Sequence, residues 1–442
     1  MRHTPLAVLP LASVALAAWM TSCNGGKEEP RRYNIVYIMA DDHTAQMMSC
    51  YDDRYVETPN IDRIASDGLL FTNSFVANSI SGPSRACLLT GKHSHANGFK
   101  DNNTSVFDGS QQTFPKLLQQ AGYQTAIVGK WHLGGTPTGF DFWEILPGQG
   151  DYYNPHFITQ TDTAMVQKKG YVTDIITDES LDWLENKRDK DKPFCLLIHH
   201  KAMHRNWMPD IDNLALYEDK QFPLPANFYD TYEGRQAAAG QEMSIAKDMD
   251  LVYDLKMLDE DAPRTWLTDA YIGIRNTMTE DERQAWDKIY DPIIEDFRSS
   301  KLEGKALAEW KFQRYMRDYA KTLKSLDDNV GRVLDYLEQE GLMDNTLVIY
   351  TSDQGFYMGE HGWFDKRFIY EESMHMPLIM HLPKDFARRG RVDEMVQNID
   401  FAPTFLELAG VTVPDDIQGV SMLPLLTGDS IEEWRGSLYY HY

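Results

Sequence analysis

Short runs of apolar residues recur along the chain and alternate with stretches of mixed polarity. A run in which every position is apolar suits a strand buried on both faces of a sheet, because successive side chains of a strand point to opposite faces. The runs that we interpret as strands are Asn34–Met39, Gln124–Val128, Phe194–His199, Thr346–Tyr350 and Pro377–Leu382.

Helical patterns lie between these runs. Residues Pro115–Ala121 form one predicted helix, which Gly122 ends. A longer helix is predicted from Trp310 to Gly341, because its apolar positions fall on one helical face. Strands that alternate with helices predict an α/β fold, with a mostly parallel central sheet covered by helices on both faces. Residues 210–310 are rich in charge, tyrosine and methionine, and predict an insertion of helices and loops.

The N-terminus has the pattern of a targeting segment. Arg2 and His3 precede the apolar stretch Pro5–Met20, which is short for a membrane span. Because Cys23 stands where the apolar run ends, the segment resembles a bacterial lipoprotein signal that is cleaved before a lipid-carrying cysteine. An ordinary signal peptide is the alternative. The predicted divisions are a signal over 1–22, a flexible tether over 23–32 and a folded catalytic domain over 33–442.

This interpretation predicts an exported cell-envelope lipoprotein, in the periplasm or at the outer membrane. Its only expected membrane contact is the N-terminal lipid on Cys23. Past the signal, the sequence has no other long apolar run that would span a membrane.

The charge balance narrows the possible partners. The chain has 43 Lys and Arg against 67 Asp and Glu, for a formal net charge of −24. That balance argues against nucleic acid as a partner. It does not exclude an anionic substrate, since a local group of cations outweighs a distant global charge at short range.

The cysteines give no sign of a zinc site. Cys50, Cys87 and Cys195 follow Cys23 without a CxxC pair or a Cys/His zinc spacing. Cys195 lies in the apolar run FCLLI and is expected to be a buried small side chain. The sequence does not decide whether Cys50 and Cys87 form a disulfide.

Acidic clusters follow two of the predicted strands. The first strand runs into Asp41 and Asp42, and the strand Thr346–Tyr350 runs towards Asp353 and Gln354. Ligands in such sheets bind beyond the carboxyl ends of the strands, and adjacent carboxylates repel each other unless a cation holds them. An all-oxygen set favours a hard cation such as Ca²⁺ over zinc. For any one aspartate alone, capping of a turn is the alternative.

The segment from Ser81 to Gly91 reads SGPSRACLLTG. It resembles the signature of the sulfatase family, in the alkaline-phosphatase-like superfamily: Ser or Cys, any residue, Pro, Ser, Arg, and a later Thr-Gly. The resemblance implies that Ser81 is oxidised to formylglycine and also ligates the metal. In the serine form this oxidation is carried out by an anaerobic sulfatase-maturating enzyme in the cytoplasm before export. Arg85 lies one helical turn after Ser81 and is expected close to the nucleophile.

Further segments resemble the family's sulfate-binding and proton-transfer positions. GKWHLG implies that Lys130 binds the sulfate or the nucleophile and that His132 accepts a proton from the nucleophile. His204 corresponds to the histidine that faces the leaving oxygen, and Lys366 to a second sulfate-binding lysine. A hydrated aldehyde offers two hydroxyls, one to attack sulfur and one to expel sulfate, whereas a plain serine is a weak nucleophile near neutral pH. The neighbouring competitors for the role of His204 are His199, His200 and Lys201.

Two short sequence segments narrow the range of expected substrates. The segments LLTGKHSHANGF and HRNWMPD resemble bacterial sulfatases that act on N-acetylglucosamine 6-sulfate, including mucin-desulfating ones. The resemblance implies a sulfated host glycan, such as mucin or a glycosaminoglycan, as substrate. Candidate sugar contacts are Arg205, Trp207, His361, Trp363 and Asp365. Core packing is an equally good interpretation of Trp207 and Trp363.

The chain departs from the family pattern in two places. Gln354 stands where many members have Asn or His, although an amide oxygen still ligates a cation. Members usually continue past a segment like LYYHY into a small antiparallel subdomain, so this C-terminal subdomain is expected to be missing or truncated. Two alternatives remain open: a metal-dependent phosphohydrolase of the same superfamily, or a non-catalytic glycan-binding surface lipoprotein.

Overall fold

A computed structural model describes residue 1 and residues 31–161, 164–429, 431 and 433–442 of the chain. Most of the predicted signal segment, Cys23 and the tether up to residue 30 lie outside the described residues, so these expectations stay predictions. Residues 32–442 form one compact unit. Within the described ranges, no helix is long and apolar enough to cross a membrane.

A large mixed sheet forms the centre of this unit. Its strands and a separate pair are, in chain order, β1 (Asn34–Ala40), β2 (Gly68–Phe71), β3 (Ser74–Phe75), β4 (Gln124–Lys130), β5 (Phe142–Leu146), β6 (His156–Thr159), β7 (Met165–Gln167), β8 (Phe194–His199), β9 (Thr346–Ser352), β10 (Leu378–His381), β11 (Gly390–Val392) and β12 (Val396–Gln397). The order across the sheet is β11-β2-β10-β9-β1-β8-β4-β5-β6-β7, and β3 pairs with β12. The middle strands β9, β1, β8, β4 and β5 are parallel, whereas β10, β6 and β7 pair antiparallel with their neighbours.

The helices connect these strands. They are α1 (Pro59–Ser66), α2 (Ser81–Thr90), α3 (Ser94–Asn97), α4 (Phe114–Gln120), α5 (Val172–Asp182), α6 (Gln236–Ala239), α7 (Trp266–Thr277), α8 (Glu280–Ser300), α9 (Gly304–Gln339), α10 (Glu371–Met374), α11 (Phe401–Leu408) and α12 (Leu423–Thr427). Short 3-10 turns occupy Ala45–Met47, Ile211–Asn213, Met343–Asn345, Glu360–Gly362 and Asn398–Asp400, and a π turn occupies Trp183–Lys187. The two predicted helices correspond to α4 and α9, and α9 begins several residues earlier than expected.

Alternate residues of β1 enter two separate hydrophobic clusters, one on each face of the sheet. Val36 and Ile38 pack with apolar residues of α1, α5 and α9. Ile35 and Tyr37 pack with α2, α4 and α11. Both faces of the strand are therefore buried, which explains its continuous apolar sequence. The predicted α/β architecture, a mostly parallel sheet with helices on both faces, is confirmed.

The cysteines within the described ranges are free thiols. Cys50 and Cys87 do not form a disulfide with each other. Cys195 is buried in β8, in the cluster shared with α2, α4 and α11. Burial raises the pKa of the Cys87 thiol to about 12, so this thiol is protonated at physiological pH.

The middle parallel strands end at one edge of the sheet, and their ends carry polar residues. Asp41 follows β1, Lys130 and His199 end β4 and β8, and Asp353 follows β9. Close approach of β4 and β8 at this edge requires a glycine: a Cβ on Gly129 would lie 2.1 Å from the carbonyl oxygen of His199, and its φ is +103°. The fold therefore brings these four side chains together.

Candidate active site

The helix α2 begins at Ser81, and its N-terminus faces the acidic edge of the sheet. The Ser81 hydroxyl donates to Asp41 Oδ1 at 3.1 Å. Tight packing fixes the first turn, because a Cβ on Gly82 would lie 2.4 Å from Asn102 Oδ1 and 2.7 Å from the Phe99 ring. The Ser84 hydroxyl donates to the carbonyl oxygen of Asp353 at 2.5 Å. The predicted nucleophile is therefore held rigidly beside a buried carboxylate.

Asp41, Asp42 and Asp353 form a carboxylate cluster, with one oxygen of each within 4.8 Å of the others. All three are buried, and the Gln354 amide lies beside them, with Nε2 donating to Asp42 Oδ1. Among the described residues, Asp42 Oδ2 and Gln354 Oε1 have no hydrogen-bond partner. Buried oxygens without a donor are costly unless a cation satisfies them. The predicted oxygen ligands therefore lie together and fit a hard cation such as Ca²⁺.

Three buried cations balance the three carboxylates of this cluster. Lys130 Nζ contacts Asp41 Oδ2, and Lys366 Nζ lies 2.6 Å from Asp42 Oδ1. The Arg85 guanidinium donates to Asp353 Oδ2 at 3.2 and 3.0 Å.

These cations also change the acidity of the cluster. Burial alone would raise the pKa of Asp41, but Lys130 and the other nearby cations hold it well below its usual value. For Asp42, burial and the neighbouring carboxylates outweigh Lys366 and raise the pKa to about 7. A further cation beside Asp42 would therefore favour its charged form.

Arg85 acts on the carboxylate cluster more directly than on Ser81. Besides Asp353, it donates to the carbonyl oxygen of Lys130 at 2.7 Å and lies 3.3 Å from His199 Nδ1. The sequence analysis named His199 only as a competitor for the role of His204 and did not place it beside Arg85. The position of His199 at the end of a buried parallel strand was the available signal.

The predicted proton-transfer histidines are neutral imidazoles. Burial, together with Lys130 and Arg85, lowers the pKa of His132 to about 3. The pKa of His204 is also well below the usual value, because of burial and Lys130. His204 Nδ1 lies 2.6 Å from the carbonyl oxygen of Arg205. Nδ1 must therefore carry the proton, which leaves Nε2 as the proton acceptor.

The competitors of His204 have other surroundings. Among the described residues, neither ring nitrogen of the buried His200 has a hydrogen-bond partner. Lys201 Nζ donates to the carbonyl oxygen of Gln149 at 3.1 Å and lies 4.7 Å from the centre of the Tyr152 ring. Burial and the nearby Lys130 lower the pKa of Lys201 to about 8.

Burial corrects two of the predicted sugar contacts. Trp207 and Trp363 are 0 % exposed. Trp207 packs against Tyr315 with ring centres 4.5 Å apart, and Trp363 stacks on Tyr232 at 5.4 Å. Both tryptophans are core residues, because a fully buried indole offers no surface to a sugar ring.

The other three candidate sugar contacts are polar and partly exposed. Arg205 pairs with Asp254, His361 with Asp230, and Asp365 with Arg367. Asp254 and Asp230 belong to the insertion and were not identified from the sequence.

The helix that begins at Ser81 faces buried carboxylates and paired lysines, an arrangement that suits an ester hydrolase with room for a cation. The family model "Sulfatase" matches residues 33–411, and the chain belongs to the sulfatase family. It is a sulfuric ester hydrolase.

Individual relatives agree with this assignment. The chain is 52% identical over 442 residues to the N-acetylglucosamine-6-O-sulfatase of Bacteroides thetaiotaomicron, with 98% of this chain and 78% of that protein covered. It also resembles a structure solved with its substrate D-glucosamine-2-N,6-O-disulfate, at a TM-score of 0.89 and 51% identity, covering 93% of this chain and 84% of that one. A phosphonate monoester hydrolase from Silicibacter pomeroyi shares the fold alone, at a TM-score of 0.63 and 19% identity over 91% of this chain and 78% of that one.

Proposed function

We propose that this sulfatase removes the 6-O-sulfate of N-acetylglucosamine in host glycans such as mucin or glycosaminoglycans. The carrying observation is the placement of Ser81, whose hydroxyl lies 3.1 Å from Asp41 Oδ1 at the edge of a cluster of three carboxylates and three cations. Two similar proteins support the choice of sugar and of sulfate position. One is the N-acetylglucosamine-6-O-sulfatase of Bacteroides thetaiotaomicron, and the other was solved with D-glucosamine-2-N,6-O-disulfate as its substrate.

The central chemistry would come from two groups, a formylglycine at position 81 and a Ca²⁺ ion in the carboxylate cluster. Formylglycine made from Ser81 would supply a hydrated aldehyde as nucleophile. Ca²⁺ held by Asp41, Asp42, Asp353, Gln354 and the modified Ser81 would supply positive charge beside it. The buried oxygens without hydrogen-bond donors, described above, support this ligand set.

The remaining steps fall to side chains of the chain itself. Lys130 and Lys366 bind sulfate oxygens and stabilise the charge that develops on them. Because its Nδ1 proton is donated to a backbone carbonyl, His204 first takes at Nε2 the proton that the attacking hydroxyl releases. It then passes this proton to the sugar oxygen as the S–O bond breaks. His132 removes a proton from the nucleophile's second hydroxyl as sulfate departs.

The alternative function, that of a metal-dependent phosphohydrolase, has weaker support than that of a sulfatase. Two-metal phosphatases hold ions about 4 Å apart with additional carboxylate or histidine ligands. In the described part of the chain, the group of acidic and histidine side chains that could hold an ion is Asp41, Asp42 and Asp353. This set suits one ion.

We further propose export of the protein and its anchoring through a lipid on Cys23, after Ser81 has been oxidised in the cytoplasm. Cys23→Ser would then release the protein from membranes into the soluble fraction of the producing cell. Membrane association that persists in this variant would contradict the anchor.

The proposed activity is tested by producing the chain with and without an anaerobic sulfatase-maturating enzyme. Both samples have the same sequence, so the unmatured protein is the matched control. We expect the matured protein to release sulfate from N-acetylglucosamine 6-sulfate and the Ser81 peptide to weigh two hydrogens less than its serine form. Ser81→Ala should remove turnover while leaving the fold intact.

Three outcomes would contradict the proposal. They are equal activity of the unmatured protein, turnover by Ser81→Ala at the wild-type rate, and a preference for phosphate esters over sulfate esters. Glycan binding by a protein that shows no turnover after maturation would favour the non-catalytic alternative.

A further inference from the structure

The loop formed by residues 204–207 carries a predicted catalytic histidine, and the insertion holds this loop at several points. Asn206 Nδ2 donates to the carbonyl oxygen of Tyr253 at 3.0 Å. Lys256 Nζ donates to the carbonyl oxygen of Trp207 at 3.1 Å. The segment around Tyr253–Lys256 therefore sets the position of this loop.

The strongest contact between the two segments is a two-point ion pair. Arg205 Nε lies 2.6 Å from Asp254 Oδ1, and Arg205 Nη2 lies 2.8 Å from Asp254 Oδ2. The centres of the Tyr253 and Phe364 rings lie 5.5 and 5.1 Å from Arg205 Cζ. Asp254 is itself fixed, because the backbone N–H of Asp250 donates to its Oδ2 at 2.8 Å. The guanidinium thus has one well-defined orientation.

The pair leaves one donor group of Arg205 available. The Arg205 side chain is 29% exposed, while that of Asp254 is 0% exposed. Within the described ranges, Nη1 makes no hydrogen bond, whereas Nε and Nη2 are both used. Phe364, which touches the guanidinium, is two residues before Lys366, whose Nζ lies 2.6 Å from Asp42 Oδ1. Arg205 therefore lies beside the segment that carries Lys366 into the site.

The charge of this donor is already balanced. A buried carboxylate neutralises Arg205, so its free N–H group acts as a directed hydrogen-bond donor more than as an attractor of anions. Such a donor suits a neutral oxygen, such as a sugar hydroxyl or an amide carbonyl. The sulfate-binding lysines, in contrast, face the carboxylate cluster.

We propose that Asp254 is a positioning residue for sugar recognition: it fixes Arg205 so that Nη1 donates to a neutral oxygen of the sugar that carries the sulfate. The inference rests on the proposed function. It makes the insertion part of the substrate-recognition machinery, although the insertion supplies none of the residues of the carboxylate cluster.

The test compares Asp254→Asn, Arg205→Lys and the double variant in matured enzyme. Asp254→Asn keeps the size and one acceptor oxygen, and Arg205→Lys changes a partly exposed side chain, so both are expected to fold. Asp287→Asn is the matched control, because Asp287 pairs with Arg275 elsewhere in the insertion. Thermal unfolding checks each variant.

Two measurements separate recognition of the sugar from binding of sulfate. For N-acetylglucosamine 6-sulfate, loss of a charge-assisted contact is expected to raise KM about 10- to 100-fold in either single variant, with kcat changed less than about threefold. The inhibition constant of inorganic sulfate is expected to stay within about twofold, because Lys130 and Lys366 are untouched. The double variant is expected to be no worse than the poorer single one, since the two residues act as a unit.

An unchanged KM in Asp254→Asn would overturn the inference. So would an equal weakening of sugar and inorganic sulfate, which marks a general loss of structure, or additive effects in the double variant. Wild-type enzyme that hydrolyses other sulfate esters and leaves N-acetylglucosamine 6-sulfate intact would refute the proposed function and this inference together. Wild-type activity combined with an unaffected Asp254→Asn would refute this inference alone.

Discussion

Asp318 on α9 offers the sharpest test of how the insertion is attached. Its side chain is 1% exposed. It accepts hydrogen bonds from Lys256 Nζ at 2.9 Å, Arg314 Nη2 at 2.6 Å and the Tyr290 hydroxyl at 2.8 Å. Burial alone would raise the pKa of Asp318, but the surrounding Arg314, Lys256 and Lys321 outweigh it and hold the pKa below the usual value. The carboxylate is therefore charged, and both of its oxygens accept hydrogen bonds.

Asp318→Asn keeps the shape of this side chain and removes its charge. Lys256 or Arg314 must then face the new amide NH₂ group, so that two hydrogen-bond donors meet without an acceptor. Removing one partner of a buried ion pair costs about 3–5 kcal/mol. We expect the lower end of that range, because Glu218 still pairs with Arg314 and Lys321. Since stabilities are about 5–15 kcal/mol, this loss is a large fraction of the total.

Asp328→Asn is the matched control, because it lies on the same helix. Asp328 is 48% exposed and pairs with Lys324 one turn away. Such an exposed pair contributes about 0.3–0.5 kcal/mol. Urea unfolding followed by both tryptophan fluorescence and circular dichroism would measure the two losses and check that the transition is cooperative. A difference between the variants below about 1 kcal/mol would refute the buried-pair argument.

Two further predictions concern the edge of the sheet that carries the site. Gly129→Ala is expected to destabilise the protein by more than about 1 kcal/mol, because the left-handed backbone and the nearby His199 carbonyl both oppose a Cβ. Gly273→Ala in α7, where nothing lies within 4 Å of an added Cβ, should instead be stabilising, and equal effects in urea unfolding would contradict this reading. At a hundredfold excess over its Kd, Ca²⁺ is expected to stabilise the wild type by about 2.7 kcal/mol, and so to raise its unfolding temperature, but not that of Asp42→Asn. The same Ca²⁺ response in both proteins, by differential scanning calorimetry against EDTA, would count against the oxygen cluster as the metal site.

The middle of the fold was predictable from the sequence because its strands are buried on both faces. Residues 194–199 match a strand as predicted, and the runs beginning at Asn34, Gln124 and Thr346 extend only one or two residues further. The outer strands β6 and β7 were not predicted. Both are short, and β6 is partly exposed while β7 is exposed, so their sequences lack the apolar run that identified the others.

The site was predictable where a motif or a strand end placed its residues. Ser81, Asp41 and Asp353 meet as that reasoning requires. The contacts of the insertion were not predictable, because Lys256 and Asp318 are 62 residues apart and each one alone reads as a solvated charge. Trp207 and Trp363 failed as sugar contacts for the opposite reason, since composition does not distinguish a buried indole from an exposed one.

The charges of the site bear on the choice between sulfate and phosphate. When a bound cation keeps Asp42 charged, the side chains of three carboxylates and three cations cancel at the edge of the sheet, with the histidines neutral. A divalent cation held there would leave a surplus of two positive charges, which a singly charged sulfate ester and an ionised nucleophile would balance. A phosphate monoester dianion in the same place would leave an excess of negative charge in a buried setting, where an unbalanced charge is costly. Two-metal phosphatases supply a second ion to carry that charge. The electrostatic balance of this site therefore favours sulfate monoesters even though the fold is shared with enzymes that act on phosphorus.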